Sequence, residues 1–478
     1  MNIEHNILAD IDLSKGLTEQ QARAIFERGE EAVIFALLKQ SQMLAQKVNL
    51  PKAVAADPST PSAQKPVFAK DQVRSRRRKR PGRKRGHAGA RRKRPVQVDR
   101  TVEHRLDICP DCGSALKKCS GQRERIIEDI PEKVKVEVVK HVIHRDWCPA
   151  CRKAVEPVVT DALPKSSIGN GILVMSAWLH YSLGSTISQI LEVFNFHLRF
   201  QMSQGGLVQM WHRVADILWQ WYEEITSDIQ QAGVLHGDET GWRVNGKTHW
   251  LWCFTSHKAT IFTIEDSRGS PVVLEFIKES FSGVFVSDFW HAYNVLTCAK
   301  QKCIAHLLRD LKRVEQYKDT GGDWCRFSKK LKRLIRDAVR LRKRNDEHDE
   351  ETYCRRCRRL EQRLRLLIEH QWQNKEAKRL IKRLRRHESE IFTFLEHLAV
   401  PFDNNFGERS IRGAVIMRKN SFNNRSERGA FTQSVLMSVF FTIKQRGLNP
   451  VQTVKKALRE YMKTNELPTL AEITASDG

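Results

Sequence analysis

The sequence predicts a multidomain α/β protein with mostly helical appendages. Three observations lead there. A chain of 478 residues exceeds what one hydrophobic core organises, so roughly two to four domains are expected. The apolar pattern is helix-spaced at first, alternates between strands and helices from residue 234, and returns to helix afterwards. Cysteines in Cys-x-x-Cys spacing and a dense basic run occupy separate segments ahead of the α/β block. Hydrophobic residues make up 40% and charged residues 29%, and no run approaches the roughly 20 apolar residues that span a bilayer. The start, Met1-Asn-Ile-Glu-His, lacks the charged-then-apolar pattern of a secretory signal. The expectation is a cytoplasmic, nucleoid-associated protein with no membrane partner.

The elements follow in order. Residues 1–50 form a helical segment, with Thr18 and Gln21 placed as a capping box and Ala24, Ile25, Ala32, Val33, Leu37 and Leu38 at helical spacing. Packing within its own domain and self-association both remain open for it. Residues 51–100 are a linker with Pro51, Pro58, Pro61 and Pro66, followed by the basic run. Residues 101–160 carry four cysteines around alternating stretches such as Lys133-Val-Lys-Val-Glu-Val-Val, which reads as a strand. Residues 161–230 are helical, over Gly171–Leu183, Ile187–Phe194 and Leu207–Ile225, a spacing compatible with a helix-turn-helix or any bundle. Residues 231–315 alternate: strands at Val234–Asp238, His249–Ser256, Thr260–Glu265 and Val284–Ser287, a helix at Pro271–Glu279, and a short strand running into a helix across Cys303–Val314. Residues 316–400 are a basic helical insertion. Residues 401–445 resume the block with helices, and residues 446–478 hold a last helix from Asn449-Pro450 through Tyr461 and a polar tail.

Charge and cysteines narrow the partners. Lys plus Arg number 82 against 56 acidic residues, a formal net charge of +26. Such an excess calls for an anionic partner, and nucleic acid is the usual one. An anionic membrane surface is the rival, but no amphipathic anchoring segment stands out. The run Arg76, Arg77, Arg78, Lys79, Arg80, Arg83, Lys84, Arg85, continuing through Arg94 without an acidic residue, is suited to phosphate backbone. Eleven cysteines in a chain expected in the cytoplasm argue for metal ligation over disulfides. Cys109-Pro-Asp-Cys112 and Cys148-Pro-Ala-Cys151 supply four thiolates, a closed tetrahedral set for one structural Zn2+.

Three acids stand at special places. Asp238 lies at the end of the first strand expected in the α/β block, Asp288 directly follows Val284–Ser287, and Glu408 lies at the expected start of a helix. A carboxylate at the end of a buried strand is costly unless a cation pairs with it. Several converging there repel and are relieved by metal, and hard oxygen ligands select Mg2+ or Mn2+.

The set His236-Gly-Asp-Glu-Thr-Gly-Trp, Ser287-Asp-Phe-x-x-Ala-Tyr293, Cys303-x-x-His-Leu-x-Arg-Asp310 and Asp403-Asn-Asn-x-x-Glu-Arg resembles the insertion-sequence-66 family of DDE transposases. Gly86-His87, Val102-Glu-His-Arg-Leu and the two cysteine knuckles resemble that family's zinc-binding segment, so the resemblance covers roughly residues 70 to 460. It implies an RNase H-like catalytic core interrupted by the helical insertion and preceded by a small zinc-binding domain. Asp238, Asp288 and Glu408 become the acidic triad, holding two Mg2+ (or Mn2+) ions. Cys303 and His306 resemble a Cys-x-x-His pair of several DDE transposases, with a structural role favoured. Asn423-Asn-Arg-Ser-Glu427-Arg428 repeats the pattern around Glu408, and Glu408 is preferred because the family pattern puts the acid in the first copy. Glu239 is the weaker first carboxylate, since neighbours on a strand face opposite ways. Arg409 and Arg412 are further candidate phosphate contacts.

The expected function is metal-dependent cleavage at insertion-element ends and strand transfer into target DNA. Partners are double-stranded DNA, a homo-oligomer on paired ends, and accessory transposition proteins. The alternatives are an RNase H-like nuclease or resolvase without strand transfer, and a non-catalytic zinc-containing DNA-binding regulator.

Overall fold

The computed structural model describes residues 19–38 and 97–475, apart from positions 31, 35, 105, 117–123, 129, 131–133, 318–320 and 422. The linker and the basic run of residues 76–94 therefore lie outside the described residues, as do most of residues 1–50. An N-terminal helix, α1, spans Glu19–Glu27. No described helix is long and apolar enough to cross a membrane.

The chain divides into two compact units. Of the described residues, the first takes those before 39, Gly233–Gly241 and Ser267–Glu408; the second takes those from 97 to Ala232, Trp242–Asp266 and those from Arg409 onward.

In the second unit, the cysteine segment forms one two-stranded ribbon, β1 (Asp146–Cys148) against β2 (Lys153–Val155). The strand expected around Val134–Val139 is absent. Its described residues carry no strand and no ladder pairing, and Val138 is 91% exposed, so alternation alone could not make a strand without a neighbour. Four helices follow: α2 (Asn170–Tyr181), α3 (Ile187–Leu198), α4 (Gln204–Ile217) and α5 (Trp219–Gln230). The single helix expected from Leu207 to Ile225 is broken at Leu218, which closes α4 and opens α5. A Thr186–Gln189 capping box starts α3, and Ser203 caps α4. Strands β4 (Lys247–Thr255) and β5 (Thr260–Glu265) form an antiparallel pair. Helix α13 (Glu427–Gln445) lies along β5, where Ser438 and Thr442 hydroxyls accept from the Phe262 and Thr260 N–H groups. That contact satisfies donors which an edge strand would otherwise expose. Helix α14 (Pro450–Thr464) is followed by a further helix, α15 (Leu470–Ala475), where a polar tail was expected. Leu470 and Ile473 are buried, a two-residue apolar signal too short to read as a helix.

The first unit holds a parallel sheet and a helical block. Strand β3 runs Val234–Val244, well past the expected end at Asp238, and its residues from Trp242 onward fall in the second unit. Gly237, Asp238 and Gly241 interrupt the apolar pattern, which is why the strand looks short in sequence. Val234–His236 pair in parallel with β6 (Val284–Ser287), and β6 pairs in parallel with β7 (Lys300–Lys302). Helix α6 (Ser270–Ile277) precedes β6 with Pro271 in its first turn, and α7 (Ile304–Tyr317) follows β7. The helical block consists of α8 (Gly322–Lys343), α9 (Glu350–Glu369), α10 (Lys375–Arg386) and the short α11 (Thr393–Glu396). One apolar cluster runs from Val284 and Val286 through Leu307 and Leu311 to Trp324, Phe327, Leu364 and Trp372. The helical block and the sheet thus share a core. Helix α12 (Asn405–Ser421) begins in this unit with Glu408 in its first turn.

Candidate active site and zinc knuckles

Strand β3 carries Asp238 and Glu239, β6 ends one residue before Asp288, and α12 supplies Glu408. Asn404 ties the start of α12 to β3 and to Cys303. Its Nδ2 donates to Gly237 O at 2.8 Å, its Oδ1 pairs with His236 Nδ1 at 2.9 Å, and its backbone N–H donates to Cys303 Sγ at 3.1 Å. Asn404 O then accepts from Glu408 N at 3.0 Å, starting α12 beside β3. Gly237 is required there, because a Cβ would stand 2.3 Å from the Phe285 ring.

The electrostatics are those of crowded acids. Burial, then Glu239, Asp288 and Glu408 in turn, push the Asp238 carboxyl well above the usual carboxylate range. Burial also raises Asp288, against the pull of the Trp290 N–H (2.8 Å to Oδ1), Lys302, Arg268 and Arg383. Lys302 is fully buried, donates to Ser287 Oγ at 3.2 Å, and stands 3.8 Å from Glu390. Glu239 is pushed up to about 7 by burial and Asp288. It is committed elsewhere: Arg268 donates to its Oε1 at 2.7 Å and the Tyr293 hydroxyl to its Oε2. The Arg268 guanidinium in turn lies 3.4 Å from the centre of the Trp290 ring.

Glu408 faces a second set of groups. Its Oε1 accepts from Arg309, and His306 Nδ1 lies 3.6 Å away. The ligand atoms of Cys303, His306 and Glu408 all lie within 4.8 Å of one another, the one such Cys/His/Asp/Glu group of three among the described residues. Asp288 and Glu408 both act on the Asp238 carboxyl, but the three acids do not close into so tight a set. Asp310, from the same motif, is buried and clamped by Arg379 (3.0 Å) and Arg383 (3.0 Å) of α10. Sequence reading has Asn404 and Asp310 only as motif members without a role, and it misses Arg268, Lys302 and this clamp, because each partner is remote in sequence. Glu427 opens α13 in the second unit, mostly exposed and 3.6 Å from His249. Arg409 and Arg412 are exposed on α12.

The cysteines make two separate turns. Cys109–Cys112 sits in a hairpin closed by an Ile108–Ala115 bridge, with Gly113 at φ +75° and its N–H on Cys109 O at 2.9 Å. Cys148–Cys151 caps the β1–β2 ribbon, with the Cys151 N–H 3.4 Å from Cys148 Sγ. Hydrogen bonds from Ser114 hold the Cys112 thiol below its ordinary pKa, and those from Cys151 do the same for Cys148. Each pair suits zinc chemically, though no three of the four thiols lie within 4.8 Å of one another.

Residues 165–432, which include all three acids, match the Transposase IS66 family. The chain belongs to that family. Residues 107–152, which enclose both knuckles, match the zinc-finger binding domain of transposase IS66. The zinc-finger domain thus precedes a mixed α/β domain with helices, and the match supports binding of zinc and DNA. Two uncharacterized proteins of Sinorhizobium fredii (strain NBRC 101917 / NGR234) are similar at 24% identity. The protein y4hP aligns over 75% of this chain and 73% of its own length, and y4qI over 74% and 70%. Membership of the transposase family points to a DNA-processing enzyme.

Proposed function

We propose that the chain is a DNA transposase that cuts at the ends of its insertion element and joins those ends to target DNA, with Asp238, Asp288 and Glu408 as ligands for two Mg2+ or Mn2+ ions. The observation that carries this reading is the meeting of Asp238 on β3, Asp288 directly after β6 and Glu408 in the first turn of α12, where Asp288 and Glu408 both raise the buried Asp238 carboxyl. A bound cation relieves that repulsion, and an all-oxygen donor set favours a hard one. Held by Asp238, Asp288 and Glu408, such ions would supply Lewis-acid activation of the attacking oxygen and stabilisation of the leaving one.

The protein's own residues would do the positioning. The Trp290 N–H orients Asp288, and Lys302 favours its charged, metal-binding form. Asn404 sets the start of α12 and with it Glu408. Arg309 holds Glu408 until DNA and metal arrive. Three parallel strands bearing acids at β3 and after β6 suit an RNase H-like core over 231–315 and 401–445, with 316–400 inserted. One zinc ion would draw both knuckles of 101–160 together. The basic run of residues 76–94, with Arg409 and Arg412, would contact phosphates on paired ends held by several copies.

The test is a labelled duplex carrying an element end, incubated with target DNA in Mg2+ or EDTA. Nicked and joined products in Mg2+ alone are expected. Cutting without any joining would make the chain a nuclease, and cutting that survives EDTA would remove the metal from the account.

A further inference from the structure

We infer that Cys303, His306 and Glu408 form a second cation site that takes a borderline-soft divalent ion such as Zn2+ and thereby withdraws Glu408 from the acidic set. The withdrawal rests on the proposed role of Glu408; the site itself rests on geometry alone.

Cys303 lies at the entry to α7 and His306 in its first turn, a spacing of three that puts both on one helix face. Glu408 comes to them from the first turn of α12. Their ligand atoms lie within 4.8 Å of one another, with Cys303 buried and the other two partly so. Tetrahedral zinc places such donors roughly 3.5 Å apart, so side-chain adjustments of about 1 Å close the set. The Asn404 N–H already donates to Cys303 Sγ at 3.1 Å, a contact that supports a metal-bound sulfur from outside the ligand shell. Sulfur and imidazole select zinc, cobalt or a similar ion over magnesium.

A positive charge already stands at this point. Arg309 donates to Glu408 Oε1 and lies 3.2 Å from His306 Nδ1. Its side chain is 53% exposed, so it can turn to solvent when a metal ion takes its place. The same carboxylate thus has two alternatives, a soft site with Cys303 and His306 or the hard site with Asp238 and Asp288. Zinc should therefore oppose magnesium in this chain.

The experiment is cobalt and zinc titration of the full chain, followed by metal stoichiometry and the sulfur-to-cobalt absorption band. Zinc is loaded first to fill the cysteine knuckles. A further equivalent of cobalt is expected to bind with a thiolate band, lost in Cys303→Ser and in His306→Gln. Arg309→Gln, an exposed change that leaves the core intact, should tighten that equivalent about tenfold. Cobalt uptake that is absent in the wild type, or that survives both ligand changes, would overturn the site. These readouts need no DNA, so their failure is distinct from failure of the transposase reading. If the site holds, zinc should inhibit magnesium-dependent cleavage, and less so in His306→Gln.

Discussion

The acidic centre and the cysteine segment show two ways of placing side chains suited to a metal ion. Around Asp238 the ligands ride on buried elements, and the contacts that align them come from far along the chain: Asn404 onto Gly237, Arg268 onto Glu239, Arg379 and Arg383 onto Asp310. Around Cys109 and Cys148 the ligands ride on local turns, and no described residue between 97 and 158 is buried. The first region is held by its core before any metal binds. Among its described residues the second has no core of its own, so a bound zinc ion would supply much of its order.

The largest effect that sharpens this contrast is expected from Cys148→Ser. Losing a knuckle thiol should abolish zinc retention and expose residues 97–160 to protease, while the residues from 161 onward keep their thermal transition. Limited proteolysis with zinc measurement checks it, and a segment equally protected without zinc would break the contrast. Asp310→Ala should come next. Removing a buried carboxylate from two arginines costs about 3 kcal/mol, at the low end of the usual range because Arg379 and Arg383 reach solvent. Chemical denaturation of the full chain measures it.

Asn404→Ala should cost about 2 kcal/mol by leaving Gly237 O and His236 short of partners. Its larger signature should be cleavage reduced on the order of 100-fold with DNA binding retained, since Glu408 loses its register. Full activity in that variant would remove Asn404 from the positioning role. The smallest effect is one of pH. The folded-state pKa of Asp238 is raised above its ordinary 3.8, so the folded chain holds a proton that the unfolded chain has lost. Stability should therefore fall as pH rises from about 4 upward without metal. Thermal melts of wild type and Asp238→Asn should diverge in that window, with wild type the weaker, and Mg2+ should close the gap.

What sequence reading reached follows from locality. Val284–Ser287 is a short β-branched and aromatic run ended by an acid, so strand and site residue were visible together. The knuckles announce themselves through spacing alone. Strand β3 reads as shorter in the sequence because Gly237, Asp238 and Gly241 interrupt its apolar pattern. The valines around Val138 misled in the opposite sense, alternating like a strand with no neighbour to pair. The contacts of Asn404, Lys302 and Asp310 are invisible in the sequence because nothing local marks a polar residue whose partner is distant.

The central claim is that Glu408, with Asp238 and Asp288, holds the catalytic metal. The most direct test is Mg2+-dependent cleavage of a labelled element-end duplex by Asp288→Ala, Glu408→Gln and Glu427→Gln beside wild type. Cutting lost in the first two and kept in the third, with end binding intact throughout, is the predicted result. Cutting that survives Glu408→Gln but fails in Glu427→Gln would contradict it and move the third acid to α13.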